Sequence, residues 1–395
     1  MMDYSSLFSD DTHSFFRSPV REIFKRVDLS KIYSFAGGYP SDETFPLAAF
    51  KDVMSKVITE YGGKAFQYGA TQGVPELRQV IAGRYGVPVE QVQITSSSQQ
   101  GIDVCTRVLV NPGDVVLTSN PTYLGALQSF RSYRADVVGV APCADLEEYA
   151  SRWQSAIEAC HRDHKKIKFL YIIPDFQNPS GETLALGQRR VLISLARRYG
   201  FLIIEDSPYR ELRYEGVAEP TIRELAPDVT VHLGSFSKIM APGFRLGWMI
   251  APEAVLDMVF VCKQALDLCP PVFDQYVAAE FLRSGLLDKN LENTIRLYRA
   301  KRDLMLDMLR REMPAGVSWT VPQGGLFLFL TLPEGFDTVR FYDTALDAGV
   351  AYVAGSFFHT DGSGLNTMRL NFSFMTEDKI RTGIALLAGL IKKNI

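Results

Sequence analysis

Short apolar strands alternate with amphipathic helices from about residue 50 to about residue 285, and this alternation restricts the chain more than any other feature. Strand-like runs stand at Val115–Thr118, Lys168–Ile173, Phe201–Glu205, Val229–Leu233 and Leu246–Ile250. They are nearly continuous in apolar character, as strands buried on both faces must be. Helical patterns such as Leu186–Tyr199 separate some of them. A strand, a crossover helix and a further strand make a mainly parallel sheet with helices on both sides, so the class expected is α/β. Ahead of these runs Pro46 opens a helix whose Leu47, Phe50, Val53, Met54, Val57, Ile58 and Tyr61 share one face, and Gly62-Gly63 stops it.

The C-terminal third reads differently. A long amphipathic helix runs from Leu287 to Glu312, followed by strands near Val317–Val321, Leu326–Leu330, Ala351–Val353 and Met368–Phe374 and by a terminal helix. This α+β region pairs with the N-terminus, dividing the chain into a large domain, 46–286, and a small domain made of 1–45 and 287–395. A length of 395 residues suits two domains, and neither a linker nor an internal repeat interrupts them. A net charge of −3 supplies no basic face for nucleic acid. Apolar stretches such as Gly325–Leu332 are too short to span a bilayer, and the polar start Asp3–Arg17 lacks a signal-peptide core. Five cysteines, odd in number and without a C-x-x-C pair, point to a reducing cytoplasm. His161 and His164 stand among Arg162, Asp163, Lys165 and Lys166, which reads as a solvated helix end; no metal is expected.

Parallel sheets bind ligands beyond the carboxyl ends of their strands, so the residues just after the apolar runs carry the chemistry. Lys238 lies in Gly234-Ser235-Phe236-Ser237-Lys238, and Arg245 follows seven residues later. An amine between small hydroxyls, with an arginine to grip phosphate, suits an aldehyde-bearing phosphorylated cofactor, which points to pyridoxal phosphate. Asp206 ends the strand Phe201–Glu205, where it either caps the next turn or meets the protonated pyridine nitrogen of that cofactor. Tyr209 and Asn178 each follow a strand, from which they could reach the phenolic oxygen, unless Asn178-Pro179 is only a turn. Ser96-Ser97-Ser98 turns from the strand Val92–Thr95 into a helix expected over Gln99–Val110. The amides and positive dipole of that helix start form an anion site completed by the Ser98 hydroxyl, unless the serines are only N-caps.

Taken in order, Ala36-Gly37-Gly38-Tyr39-Pro40, Tyr68-Gly69, Ser98-Gln99-Gln100, Asn120-Pro121-Thr122-Tyr123, Asn178-Pro179-Ser180-Gly181, Asp206-Ser207-Pro208-Tyr209, the Lys238 run and Arg369 resemble the fold-type I pyridoxal-phosphate enzymes, in particular the class I/II aminotransferases. The resemblance covers nearly the whole chain. It implies a seven-stranded type of sheet in the large domain and pyridoxal 5′-phosphate as cofactor. It also implies that Ser98, Gln99, Ser235, Ser237 and Arg245 hold the phosphate and that Tyr123 stacks on the ring. Tyr68 would reach the phosphate of a neighbouring subunit, which makes the protein a homodimer with shared active sites. Arg369 would clamp the substrate α-carboxylate by a bidentate pair, beside room left by Gly38. The chain departs from the family at Ser97, where a glycine is common.

The expected reaction moves an amino group from an L-amino acid to a 2-oxo acid such as 2-oxoglutarate, with Lys238, Asp206 and Tyr209 as catalytic residues. Ser18 to Phe24, ahead of Phe35-Ala36-Gly37-Gly38, resembles the start of 2-aminoadipate and broad-specificity aminotransferases, in which an arginine at the place of Arg21 lies near the substrate side chain. Arg21 could equally pair with Glu22 or Glu43. Phe15, Phe16, Tyr39 and Phe66 would suit aromatic or aliphatic donors instead. The same scaffold also serves lyases and decarboxylases, and the effector-sensing half of certain transcription regulators. About 35 residues precede Ala36, too few for the DNA-binding domain those regulators carry.

Overall fold

The computed structural model describes residues 4–9, 12 and 32–395; Arg21, Phe15 and Phe16 lie outside them. In chain order the strands are β1 (Tyr33–Ser34), β2 (Val92–Thr95), β3 (Val115–Ser119), β4 (Asp136–Val140), β5 (Ile167–Ile172), β6 (Leu202–Asp206), β7 (Thr230–Ser235) and β8 (Gly247–Ile250). Seven of them form one sheet in the order β2-β8-β7-β6-β5-β3-β4. The strands from β3 to β7 are mutually parallel, whereas β8 is antiparallel to both its neighbours. A parallel return needs a long crossover, and residues 236–246 have none to spare: they make a tight turn and a short 3-10 helix, Pro242–Phe244, so β8 doubles back. No strand was read at β4. It is an edge strand, half-buried, and Asp136 and Gly139 interrupt its apolar run.

Both faces of the sheet are covered, as continuous apolar strands require. On β5, Phe169 and Tyr171 join a core with Ile102 and Cys105 of the helix Ser97–Leu109. The alternate residues Leu170 and Ile172 join a second core with Trp153, Ile157 and Leu192 from the helices Leu146–Arg162 and Leu186–Tyr199. Each such side chain contributes roughly 1.5–3 kcal/mol by leaving water. Packing is close enough that a Cβ on Gly101 would sit 2.9 Å from Leu233, which brings the helix Ser97–Leu109 down onto β7.

The rest of the chain contributes the helix Leu286–Glu312 and the strands β9 (Ser318–Trp319), β10 (Phe327–Thr331), β11 (Val350–Ala351), β12 (Val353–Ala354) and β13 (Thr367–Asn371). A four-stranded antiparallel sheet has the order β12-β13-β10-β9, and β1 pairs with β11 in parallel. The strand expected over Ala351–Val353 is therefore two. Tyr352 divides it, with its ring fully buried and its hydroxyl donating to the Thr338 carbonyl at 2.6 Å. The strand expected to reach Phe374 stops at Asn371, whose side chain accepts from the Phe374 amide at 3.0 Å and turns the chain. The β1 pairing carries the following residues, Phe35 to Gly38, toward the carboxyl ends of the large sheet, and Phe35 accepts from the Asn371 amide at 2.8 Å. Among the described residues no helix is long and apolar enough to cross a membrane.

Candidate active site

Parallel register places the ends of β6 and β7 side by side, with Asp206 paired to Leu233. Asp206 is buried, and one carboxylate oxygen, Oδ2, accepts from the Tyr171 hydroxyl at 2.7 Å. The other, Oδ1, is buried with no partner. Burial raises this carboxyl to about 6, against the Tyr171 hydrogen bond and the His232 charge, which lower it. Tyr171 is itself fully buried and pushed well above its ordinary value by burial first and then by Asp206, so it remains a neutral donor.

The turn after β7 carries Lys238, whose Nζ donates to the Gly38 carbonyl at 2.9 Å. Burial, then the positive charges of Arg245 and Arg369, lower this amine to about 8. A larger fraction of it is neutral near pH 7 than in an ordinary lysine, which is the state that attacks a carbonyl.

Beside the turn, the helix Ser97–Leu109 begins two residues earlier than the apolar pattern suggested. Side chains tie its first turn: Thr95 Oγ1 donates to the Ser97 carbonyl at 2.9 Å, and Gln100 Oε1 accepts from the Ser96 amide at 2.8 Å. The first amides of the helix stay free of the helical ladder, and Ser97, Ser98 and Gln99 line a cavity. Arg245 reaches the same place from the residues before β8, donating from NH2 to Ser97 Oγ at 2.8 Å and from NH1 to the Pro242 carbonyl at 3.2 Å.

Arg369, on β13, lies beneath the cavity from the other sheet. Its NH1 donates to Asn178 Oδ1 at 2.8 Å and its NH2 to the Ala36 carbonyl at 2.6 Å, while Nε is buried without a partner. The guanidinium carbon stands 4.2 Å from the Phe327 ring centroid and 4.9 Å from that of Phe358. Burial lowers the group to about 10, partly offset by Tyr209 and Tyr123, and it is still a cation at neutral pH. Asn178 Nδ2 stands 3.5 Å from the Tyr209 hydroxyl.

These groups surround one cavity of about 740 Å³. Of the residues singled out in the sequence, Lys238, Asp206, Tyr209, Asn178, Arg369 and Gly38 line it. So do Ser98, Gln99, Tyr123, Ser235, Ser237 and Arg245. Tyr68 does not: it is 79% exposed and belongs to a separate surface depression with Val272 and Tyr276. Tyr171, Phe327 and Phe358 were not singled out. The signal for Tyr171 was a hydroxyl inside a fully apolar strand, which must find a buried partner. For the two phenylalanines there was none, since their contact with Arg369 depends on three separate segments meeting. Among the described residues no cluster of His, Cys, Asp or Glu fits a metal. His161 instead stacks on Tyr199 with ring centroids 5.4 Å apart.

The donor set fits pyridoxal phosphate. The orphaned Asp206 Oδ1 calls for a cationic N–H, the Lys238 amine for an aldehyde, and the helix start with Arg245 for a phosphate. Comparison with known proteins agrees. Residues 34–387 match the family described as aminotransferase class I and II. The aromatic-amino-acid aminotransferase 1 of Thermococcus litoralis is 41% identical over all of this chain and 96% of its own length. The crystal structure of Pyrococcus horikoshii kynurenine aminotransferase in complex with PMP superposes with a TM-score of 0.94, at 40% identity, over 100% of this chain and 98% of its own. That of the alpha-aminoadipate aminotransferase LysN from Thermus thermophilus, complexed with N-(5′-phosphopyridoxyl)-L-leucine, gives 0.91 at 33% identity, over 99% of both chains.

Proposed function

The chain belongs to the class I and II aminotransferases and is a pyridoxal-phosphate-dependent transaminase, and from that premise we propose how its own residues divide the work. When bound, the cofactor supplies an electron-accepting ring joined to the amino group being moved, which makes a Cα–H bond acidic enough to break. Lys238 is the point of covalent attachment and, once displaced by substrate, the base that takes the Cα proton and returns it. Asp206 keeps the ring nitrogen protonated through Oδ1. Tyr209 and Asn178 hold the phenolic oxygen, and Tyr123 covers a ring face. The Ser98 and Gln99 amides, the hydroxyls of Ser98, Ser235 and Ser237, and Arg245 bind the phosphate. Arg369 takes the substrate α-carboxylate, which fixes the Cα–H bond relative to the ring. Gly38 leaves room there, since a Cβ on it would stand 3.1 Å from Phe327.

The single observation that carries these roles is a buried, partnerless carboxylate oxygen on Asp206 in the cavity that also holds the Lys238 amine. Lys238→Ala tests it. The variant should retain cofactor without the absorbance of the Lys238 linkage and lose amino transfer; full turnover would refute the role.

Three finer readings rest on the same premise. The acceptor is 2-oxoglutarate, and the donors are broad. Tyr39, Phe327 and Phe358 at the cavity favour aromatic donors, in keeping with the aromatic and kynurenine activities of the named relatives, and Arg21 would serve a distal carboxylate. Rates with phenylalanine, leucine, glutamate and aminoadipate decide among them. The large unit 46–286 and the small unit of 1–45 and 287–395 close on substrate, because Arg369 comes from the second. The protein is a homodimer in which Tyr68 serves the neighbouring subunit, and its five cysteines, all free, suit the cytoplasm.

A further inference from the structure

Ser97 has a backbone φ of +70°. Side chains avoid this left-handed region, so a serine there is retained against a local cost that glycine would not carry. The backbones are close here: a Cβ on Gly247 would come within 2.7 Å of the Ser97 carbonyl carbon. Ser97 is nevertheless buried, lines the cavity, and accepts at Oγ from Arg245 NH2 at 2.8 Å. Arg245 holds its own backbone at a φ of +52°, so two strained residues are joined through their side chains across the cavity wall. A hydroxyl that accepts from a guanidinium still has a hydrogen to give. No acceptor for that hydrogen stands among the hydrogen bonds of the described residues, and the cavity is where it can be given.

We propose that Ser97 is a working part of the phosphate cradle: its oxygen aims the Arg245 guanidinium, and its hydrogen is donated to a phosphate oxygen of the cofactor. The inference rests on the reading of this cavity as the pyridoxal-phosphate site and adds one side chain to the groups named above for the phosphate. It accounts for the tolerance of a strained serine, because a charge-assisted pair and a new donor together offset the backbone cost.

The test is Ser97→Gly, which suits the left-handed backbone and so is expected to fold with an unchanged or raised thermal midpoint in the cofactor-free protein. Dissociation constants for pyridoxal phosphate and for pyridoxal, which lacks the phosphate, are measured by absorbance for both proteins. The expected result is roughly tenfold weaker binding of pyridoxal phosphate by the variant, with pyridoxal binding unaltered. Ser97→Ala, which keeps the Cβ and loses only the hydroxyl, should show the same selective loss. Equal affinity for pyridoxal phosphate in wild type and variant overturns the proposal, as does an equal loss for both ligands. A wild-type protein that takes up neither ligand overturns the underlying reading as well.

Discussion

A carboxylate at the end of a buried strand is stable only if its charge is answered, and Asp206 is answered on one side alone. Tyr171→Phe removes that answer with little change of shape. A buried carboxylate that loses such a donor is worth about 1.5–3 kcal/mol less as an anion, so it would protonate more readily and hold the ring nitrogen less firmly. The expected outcome is a kcat lowered about tenfold or more with KM for the donor little changed, and a less protonated ring nitrogen by 15N NMR. The same residue sets a slope in the cofactor-free protein. Its folded value of about 6 lies above the ordinary 3.8, so the folded state holds a proton that the unfolded chain has released between those values. Stability from this group is present below pH 3.8 and lost as pH rises through about 6. Asp206→Asn should remove a decline of at most about 3 kcal/mol across that window, seen in denaturant midpoints. Lys238 has the opposite perturbation. Its amine, lowered to about 8, is protonated below that pH, and uptake of the aldehyde by cofactor-free protein should slow about tenfold per pH unit there.

At the scale of the element, the loop after β5 shows how an irregular segment is held. Asp175 is fully buried and accepts from Arg189 at 2.8 Å, Arg210 at 3.0 Å and Arg213 at 3.4 Å. Arg189, also fully buried, donates to the Pro174 carbonyl at 3.2 Å and the Leu184 carbonyl at 3.0 Å. This clamp fixes the loop so that Asn178, three residues on, meets Arg369 and Tyr209. Removing Arg189 leaves Asp175 with Arg210 and Arg213 and takes away its one fully buried partner, at about 1.5–3 kcal/mol for the charged hydrogen bonds lost. Arg189→Leu should therefore lower the thermal midpoint and raise KM for the amino-acid donor, measured on the same preparation. The Asn178-Pro179-Ser180-Gly181 motif was legible; the clamp beneath it was not, because its arginines arrive from a helix and from the segment after β6.

For the molecule as a whole, the exposed aromatic and aliphatic surface near Tyr68 matters most. Phe66 and Tyr68 are exposed, Val272 and Tyr276 line a depression with Tyr68, and Phe66 stacks on Phe273 at 5.3 Å while Tyr61 stacks on Tyr276 at 4.1 Å. Rings held rigid at a surface suit association with a second copy. On the proposed homodimer, Phe66→Asp should shift the protein toward monomer in sedimentation velocity and loosen cofactor retention, since Tyr68 would no longer reach a neighbour. An unchanged dimer would remove this face from the interface.

Local pattern alone determined much of this protein. Continuous apolar runs required a doubly covered sheet, and Lys238, Asp206 and Arg245 stand beside strand ends, where the cavity opens. Those are properties of neighbours along the chain, and hydrophobic burial reads them directly. Tertiary structure decided the direction of β8, the break at Tyr352, the hydroxyl under Asp206 and the rings about Arg369. Each depends on segments far apart in sequence coming into contact, and the spacing of residues within any one segment holds no trace of its eventual partner.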